Sequence, residues 1–345
     1  MRIVHIHLSE EFAGSEQYAA SLAAEQARVG DTVMLIARHG EVDTRWVVEA
    51  HPAQVVFLPS WVPSLLETFA IAHLLKGFGP DVVHTHLGRA NLKGGKAARK
   101  LKCPWVATLH LRYKKKEMEK ADGLICIAGW QQQEVWEGGF SGKSTVVWNW
   151  LARSAQNHSE KNFRGMHKVP QGAMVLGSVG RLHRQKGFDV LIRAFRRAFE
   201  DQDNVYLMIA GRGNERLHLQ GLAGPDKRII FLGYQEDMPA VYNSFNAYVS
   251  ASVYEPFGLT ILEAMSHKLP IICTETAGPR EFLSNHSKVE WVRPHDETAM
   301  TEALMKAVTQ FRKNQLQPVD YDMTRFEPTR AVAQIKSFYQ TFVKA

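Results

Sequence analysis

Two stretches of the chain combine residue types suited to phosphates and sugar hydroxyls. The first is Tyr254-Glu255-Pro256-Phe257-Gly258-Leu259-Thr260-Ile261-Leu262-Glu263-Ala264-Met265, directly after the run ending in Val249-Ser250-Ala251-Ser252. Pro256 keeps Glu255 extended and does not suit a helix interior, so a helix is expected to begin near Phe257–Gly258. Gly258 lets a ligand approach the backbone, where the first free N–H groups of the helix point outward. Such an end favours a phosphate or a sugar hydroxyl. Glu263 follows Gly258 by about one and a half turns and shares that side of the helix. Two carboxylates there suit hydroxyls better than phosphates; the competing reading is a loop Glu and a helix-surface Glu without a ligand. The second stretch is Val179-Gly180-Arg181-Leu182-His183-Arg184-Gln185-Lys186-Gly187-Phe188-Asp189. Arg181 offers a forked donor and Lys186 a point charge. A departing diphosphate needs such a pair, because negative charge grows on its oxygens as the bond to it breaks. The alternative is a basic turn that caps the helix after Asp189. His183 and Arg184 read as solvent-facing neighbours.

These motifs need strands to carry them. Short apolar or β-branched runs at Ile3–Leu8, Thr32–Ala37, Val55–Leu58, Val82–Thr85, Trp105–Leu109, Leu124–Ile127 and Thr145–Val147 read as strands. Ser15–Val29, rich in Ala, Gln and Glu, reads as a helix between the first two. The polar stretch Ser154–Lys161 interrupts the alternation, which resumes at Met174–Val179, Val205–Ala210, Ile229–Leu232, Ala247–Ser250, Pro270–Cys273 and Val289–Val292. Thr329–Val343 closes the chain as an amphipathic helix. Strand-helix alternation in two series predicts an α/β protein of two doubly wound, Rossmann-like domains facing a cleft. The expected division is 1–160, a linker at 161–170, and 171–328, with 329–345 as a final helix.

The bulk numbers fit. A length of 345 residues exceeds what one core usually supports, and 45% hydrophobic with 22% charged residues is ordinary for a globular chain. Cys103, Cys126 and Cys273 are scattered and lack zinc-type spacing, so neither disulfides nor a structural metal is expected. No apolar run is long enough to span a bilayer. The start, Met1-Arg2-Ile3-Val4-His5-Ile6-His7, reads as a strand rather than a secretory signal, so a cytoplasmic location is expected. The net charge of +7 is concentrated: from Arg89 to Lys120, eleven Lys/Arg stand against Glu117 and Glu119, a net +9. A solvated helix face and a surface for an anionic membrane or acidic acceptor are the two readings. His5, His7, His84 and His86 alternate along strands, but no carboxylate or cysteine partner is close in sequence. A structural or lining role is expected over a metal site. Trp61, Trp130, Trp136, Trp148 and Trp150 are expected in packing, with sugar stacking or membrane contact as the alternative.

Gly180-Arg181 with Lys186-Gly187, followed by Glu255 and Glu263 with seven residues between them, resembles the family 4 retaining glycosyltransferases of the GT-B fold, of the bacterial cell-envelope glycan type. Ala13-Gly14-Ser15-Glu16 resembles the family's glycine loop, and Asp81-Val82-Val83-His84-Thr85-His86 its characteristic strand end. Thr108-Leu109-His110, Ala210-Gly211-Arg212-Gly213 and Phe231-Leu232-Gly233-Tyr234 also match. The resemblance implies that Arg181 and Lys186, with Gly180, hold the donor diphosphate, and that Glu263 binds the ribose hydroxyls. It gives Glu255 and the Phe257–Gly258–Leu259 backbone the transferred sugar. Gly14 lets its loop close on phosphate, Gly211, Gly213 and Tyr234 line the nucleotide pocket, and His110 touches sugar or acceptor. The catalytic set is thus His110, Arg181, Lys186 and Glu255. Arg112, Lys114, Lys115 and Lys116 form an acceptor or membrane patch, and the final helix packs back on the first domain. The implied reaction moves a sugar from UDP- or GDP-sugar to a glycan or glycolipid, with retention and without metal or other cofactor. Lipopolysaccharide or another cell-envelope polysaccharide is the implied product, and the inner face of the cytoplasmic membrane a place of attachment.

The sequence departs from the family pattern at Ala13, where a second glycine is usual, at Leu111, Asn149-Trp150 and Ala277-Gly278. None of these touches the basic pair or the two glutamates. A dinucleotide fingerprint is absent after the first strand, which excludes a typical nicotinamide dehydrogenase. A glycogen-type phosphorylase is much longer. A sugar-nucleotide epimerase of the same fold and a non-catalytic polyanion-binding protein remain as alternatives; nucleic acid is not expected, for want of a zinc finger or RNA-binding aromatic pattern.

Overall fold

A computed structural model describes residues 1–10, 12–40, 43–151, 161–200, 204–284 and 286–343. Of the polar stretch Ser154–Lys161, only Lys161 is among them. The chain divides into two compact units, Met1–Ala152 with Arg325–Ala345, and Arg153–Thr324.

The first unit alternates β1 (Arg2–His7), α1 (Gly14–Arg28), β2 (Thr32–Arg38), α2 (Asp43–Ala50), β3 (Gln54–Leu58), α3 (Glu67–Phe78), β4 (Val82–His86), α4 (Leu87–Lys100), β5 (Trp105–Leu109), α5 (Lys115–Met118), β6 (Gly123–Cys126), α6 (Gly129–Glu137) and β7 (Lys143–Val146). Its seven strands are all parallel, in the order β3-β2-β1-β4-β5-β6-β7. Central strands covered by helices on both faces read as unbroken apolar runs. β1 departs from that rule, since His5 and His7 sit among Ile3, Val4 and Ile6 and all five are fully buried.

The second unit contains α7 (Phe163–Met166), β8 (Met174–Val179), α8 (Phe188–Ala198), β9 (Val205–Ala210), α9 (Arg216–Ala223), β10 (Ile229–Gly233), α10 (Met238–Asn243), β11 (Ala247–Ser250), α11 (Leu259–Ser266), β12 (Ile271–Thr274), α12 (Ala277–Leu283), β13 (Val289–Val292) and α13 (Glu297–Arg312). The sheet is again parallel, ordered β10-β9-β8-β11-β12-β13. α8 and α13 pack Leu191, Phe195, Leu304 and Val308 into its core.

Two boundaries and one surface feature differ from the sequence expectation. Residues 161–170 do not form a plain linker: α7 buries Phe163, and Arg164 donates to the Ser244 carbonyl at 2.8 Å and to Asn246 at 2.6 Å. A single buried aromatic and one arginine suffice to bind this turn to the second unit. The second unit ends at Thr324 rather than 328, because Phe326 stacks on Trp148 and its carbonyl accepts from the Leu151 N–H. The basic run from Arg89 to Lys120 is also not one helix face; it spans α4, the buried strand β5 and α5.

The last helix, α14 (Pro328–Gln340), belongs to the first unit. Lys336 pairs with the buried Asp31 at 2.8 Å, and Tyr339 reaches His84. Phe338 and Phe342 fill the space that a side chain at Gly123 would need.

Candidate functional site

Open parallel sheets bind ligands beyond the carboxyl ends of their strands, where the strand order reverses. In the second unit that point lies between β8 and β11, and it brings the two motifs together. After β8 the chain runs through Gly180 and Arg181 to Lys186; after β11 it runs through Ser252 to Glu255. The Val253 N–H donates to the Gln185 carbonyl at 2.8 Å and ties the two loops. Lys186 Nζ donates to Glu255 Oε2 at 2.6 Å, with the side chains only 21% and 9% exposed. Ser252 Oγ donates to the same oxygen at 3.3 Å. Reading the motifs separately missed this pairing: the lysine's charge is already engaged by the glutamate. Arg181 is different. It is exposed, and none of the described residues pairs with its guanidinium, so its charge is available to a ligand.

Gly258 caps α11 at φ +110°, a conformation that favours glycine, and the Leu262 N–H donates back to its carbonyl at 3.0 Å. The Phe257 ring is buried against Phe282, so this residue presents only backbone to the open side. Leu259 and Glu263 follow on the helix, each half-buried as a whole residue. The Glu263 carboxylate end is enclosed: Tyr242 donates to its Oε2 at 2.6 Å. Burial pushes its carboxyl up to about 7, while the Tyr242 hydrogen bond partly holds it down. Tyr242 was not legible as a partner, since it lies on α10, which only the fold brings to α11.

Gly211 and Gly213 follow β9. Gly211 has φ +141°, and a Cβ there would stand 1.9 Å from the Gly180 carbonyl oxygen. Gly180 itself donates to the Ala210 carbonyl at 3.0 Å, and a Cβ on Gly213 would meet the Leu182 carbonyl oxygen. These contacts seat the β9 loop directly against the Arg181 loop. Tyr234, beyond β10, is 39% exposed under the Arg212 guanidinium, 4.8 Å from its ring centre. Arg181, Lys186, Glu255, Gly258 and Glu263 therefore all fall on the loops or first helical turns beyond β8 and β11.

In the first unit the strand order reverses between β1 and β4, and there the histidines meet. Register places His5 opposite His84 and His7 opposite His86. His110, half-buried just past β5, presents Nε2 to His86 Nδ1 at 3.1 Å; His86 Nε2 meets His5 Nδ1 at 3.1 Å; His5 Nε2 meets Gln26 Oε1 at 2.7 Å. Tyr18 packs edge-on to His110 with ring centres 4.9 Å apart. Burial drives the His5 imidazole down to about 4 and those of His7 and His110 to about 3. His84 and His86 lie well below the ordinary value, first from burial and then from neighbouring imidazoles. His5, His84 and His86 each bring a possible ligand atom within 4.8 Å of the others. Both His84 nitrogens, however, are engaged, Nδ1 with Tyr339 at 2.5 Å and Nε2 with Thr108 at 2.6 Å. A carboxylate does come near: Glu16 stands 3.4 Å from His7 Nε2 and accepts from the Ala13 N–H at 3.1 Å, fixing the start of α1 beside the exposed Gly14. Of the basic patch, Arg112 faces Glu134 at 3.4 Å and Lys114 faces Glu117 at 3.2 Å, while Lys115 and Lys116 are exposed at the start of α5.

Each unit is thus a doubly wound, Rossmann-like domain with polar side chains gathered at its switch point. Known proteins share this construction. The Glycosyltransferase Family 4 model matches residues 12–156, and the Glycosyl transferases group 1 model matches residues 159–317. The chain belongs to these glycosyltransferases, and its fold is GT-B. The lipopolysaccharide core biosynthesis glycosyltransferase LpsE of Rhizobium meliloti is 26% identical over 289 residues, 82% of each chain. An uncharacterized glycosyltransferase of Methanocaldococcus jannaschii is 36% identical over 138 residues, 39% of this chain and 35% of that protein. Anabaena HepE, solved in complex with UDP and glucose, matches with a TM-score of 0.83 and 18% identity, over 99% of this chain and 100% of that one. At that identity the likeness is one of fold.

Proposed function

We propose that the protein transfers a sugar, with retention of configuration, from a UDP- or GDP-sugar to a glycan or glycolipid of the cell envelope. The observation that carries the reading is the unengaged guanidinium of Arg181 beside the Lys186–Glu255 pair and the Gly258-capped start of α11. In this reading Arg181 and Lys186 hold the diphosphate and supply the positive charge that a divalent cation supplies elsewhere. On donor binding Lys186 is shared between phosphate and Glu255. Glu255, with the Phe257–Gly258–Leu259 backbone, takes the hydroxyls of the transferred sugar, and Glu263 those of the ribose. Gly211, Gly213 and Tyr234 face the nucleotide, Gly14 lets its loop approach phosphate, and His110 meets a sugar hydroxyl. The acceptor attacks from the face that the leaving phosphate vacates, and that phosphate takes the acceptor's proton. The likeness to LpsE supports a lipopolysaccharide or related acceptor.

The test is titration with UDP and GDP, in EDTA, of the wild type and of Arg181→Ala, Lys186→Ala and Glu263→Ala. Arg181→Ala is the cleanest, because its guanidinium pairs with none of the described residues. Tight binding of one nucleotide, weakened at least tenfold by Arg181→Ala, supports the reading. Binding of neither nucleotide to folded protein, or binding only with added metal, overturns it.

A peripheral membrane site on the first unit is part of the proposal, for one further reason. Trp61, Leu65, Leu66 and Phe69, at and before the start of α3, are 79%, 85%, 53% and 61% exposed. α4 lies against them: Lys93 donates to the Ser64 carbonyl, and Lys100 sits 4.0 Å from the Phe69 ring centre. Exposed apolar side chains rimmed by lysines suit an anionic bilayer surface. Among the described residues no helix is long and apolar enough to cross a membrane. Flotation with anionic but not zwitterionic vesicles, lost in Trp61→Ser with Leu65→Ser, is the expected result; equal flotation with both lipids defeats this part.

A further inference from the structure

The buried histidines behind His110 form a connected chain, and its order has a chemical consequence. A neutral imidazole has one N–H donor and one bare acceptor nitrogen, so a hydrogen bond at one nitrogen fixes the other. All three rings in the chain are held neutral at ordinary pH, since burial lowers each of them.

The far end of the chain is Gln26, which is fully buried on α1. Its Oε1 faces His5 Nε2 at 2.7 Å. The amide thus presents its carbonyl oxygen to His5. His5 therefore carries its proton on Nε2 and presents a bare Nδ1. His86 must then donate from Nε2 across 3.1 Å, which leaves its Nδ1 bare. His110 in turn donates from Nε2 to His86 Nδ1 across 3.1 Å. The remaining nitrogen, His110 Nδ1, receives no hydrogen bond from the described residues.

We infer that Gln26, His5 and His86 act as positioning residues that hold His110 in its Nε2–H tautomer, so that Nδ1 is a fixed acceptor for a carbohydrate hydroxyl. The inference rests on the reading of His110 as a sugar contact and adds its polarity. His110 takes a hydrogen bond from a hydroxyl and does not give one to an ether or phosphate oxygen. No proton is consumed; the chain sets a direction and carries no net transfer. The second histidine branch, His84 between Tyr339 and Thr108, ends in two hydroxyls that rotate to suit either direction and so imposes none of its own.

The test is nitrogen NMR of the full chain with labelled histidine, in the wild type, Gln26→Leu and Gln26→Glu. The wild type is expected to show His110 with a pyrrole-type Nε2 and a pyridine-type Nδ1. In Gln26→Leu the single tautomer is lost and the His110 Nδ1 resonance moves toward the protonated position. Gln26→Glu, whose carboxylate can only accept, restores the wild-type pattern; a merely structural role for Gln26 predicts no such rescue. If Gln26→Leu does not fold, His86→Phe provides the same break one link nearer, with the same shift expected. An Nδ1–H tautomer in the wild type overturns the inference, as does a His110 signal unmoved in a folded broken-chain variant. Retention of one equivalent of zinc, with His5 and His86 resonances that shift on its removal, also overturns it, because those rings would then be ligands. Nucleotide titration reports separately on the second unit: failure there defeats the transferase reading and leaves the tautomer result standing.

Discussion

Glu263 makes the proposed donor site sensitive to pH in a direction that the structure dictates. Its carboxyl is pushed up to about 7 by burial, with Tyr242 donating to one oxygen. Ribose hydroxyls donate to a carboxylate and find a poorer acceptor in the protonated acid. With a carboxyl at about 7, roughly nine-tenths is ionised at pH 8 and roughly one-tenth at pH 6, so an interaction needing the anion weakens about tenfold, about 1.4 kcal/mol. A nucleoside diphosphate also gains a proton near pH 6. The comparison must therefore be made against Glu263→Gln, which keeps an acceptor for Tyr242 and cannot ionise. Calorimetric titration of the preferred nucleotide at pH 6 and pH 8 should show a wild-type affinity that falls about tenfold more than that of Glu263→Gln. Identical pH dependence in the two proteins would refute the assignment of Glu263 to the ribose, or the enclosure of its carboxylate.

The same group gives a stability prediction of known sign. Its folded value stands above the ordinary carboxyl value, so its contribution is fully present below about pH 4.5 and is lost as pH rises through about 7. Relative to Glu263→Gln, the ligand-free wild type should lose about 3 kcal/mol between those limits. Chemical denaturation of the second unit, followed at Trp291 with the other tryptophans replaced by phenylalanine, is the measurement. A constant difference between the two proteins would mean that the carboxyl titrates as if exposed.

Two further substitutions probe the frame of the site. Lys186→Met leaves Glu255 buried beside Ser252 without its cation, and should destabilise the second unit by about 3 kcal/mol. Adding Glu255→Gln should recover part of that loss, and thermal unfolding of the single and double variants would show whether it does. Gly211→Ala forces a Cβ to within 1.9 Å of the Gly180 carbonyl oxygen at a φ of +141°, so a loss of more than about 3 kcal/mol is expected. Gly221→Ala, where a Cβ meets nothing within 4 Å, is the control and should change the melting temperature little.

What could be read from the sequence divides along a physical line. Pro256 and Gly258 act on their own backbone, so a helix start near Phe257–Gly258 was legible from local chemistry; the helix begins one residue later, at Leu259, with Gly258 at its cap. Strand positions were legible too, because a strand buried on both faces is mostly apolar along its length, even where, as in β1 and β4, buried histidines interrupt the run. Neighbours were not. Lys186 meets Glu255 only because β8 lies next to β11 in the order β10-β9-β8-β11-β12-β13, and the same alternation of strands and helices would suit other orders. The alternation of His5 and His7 announced a shared face, and so did that of His84 and His86, but nothing in either pattern announced that β1 pairs with β4 or that Gln26 ends the chain. A side chain proposed to meet a ligand by itself, such as Arg181, leaves a local signature in its motif. One that works through another side chain, such as Tyr242 on Glu263 or Gln26 on His5, is set by tertiary adjacency and becomes visible only in the fold. The polarity of the proposed sugar contact at His110 belongs to that second class, although the residue itself sits in a motif that the sequence displays.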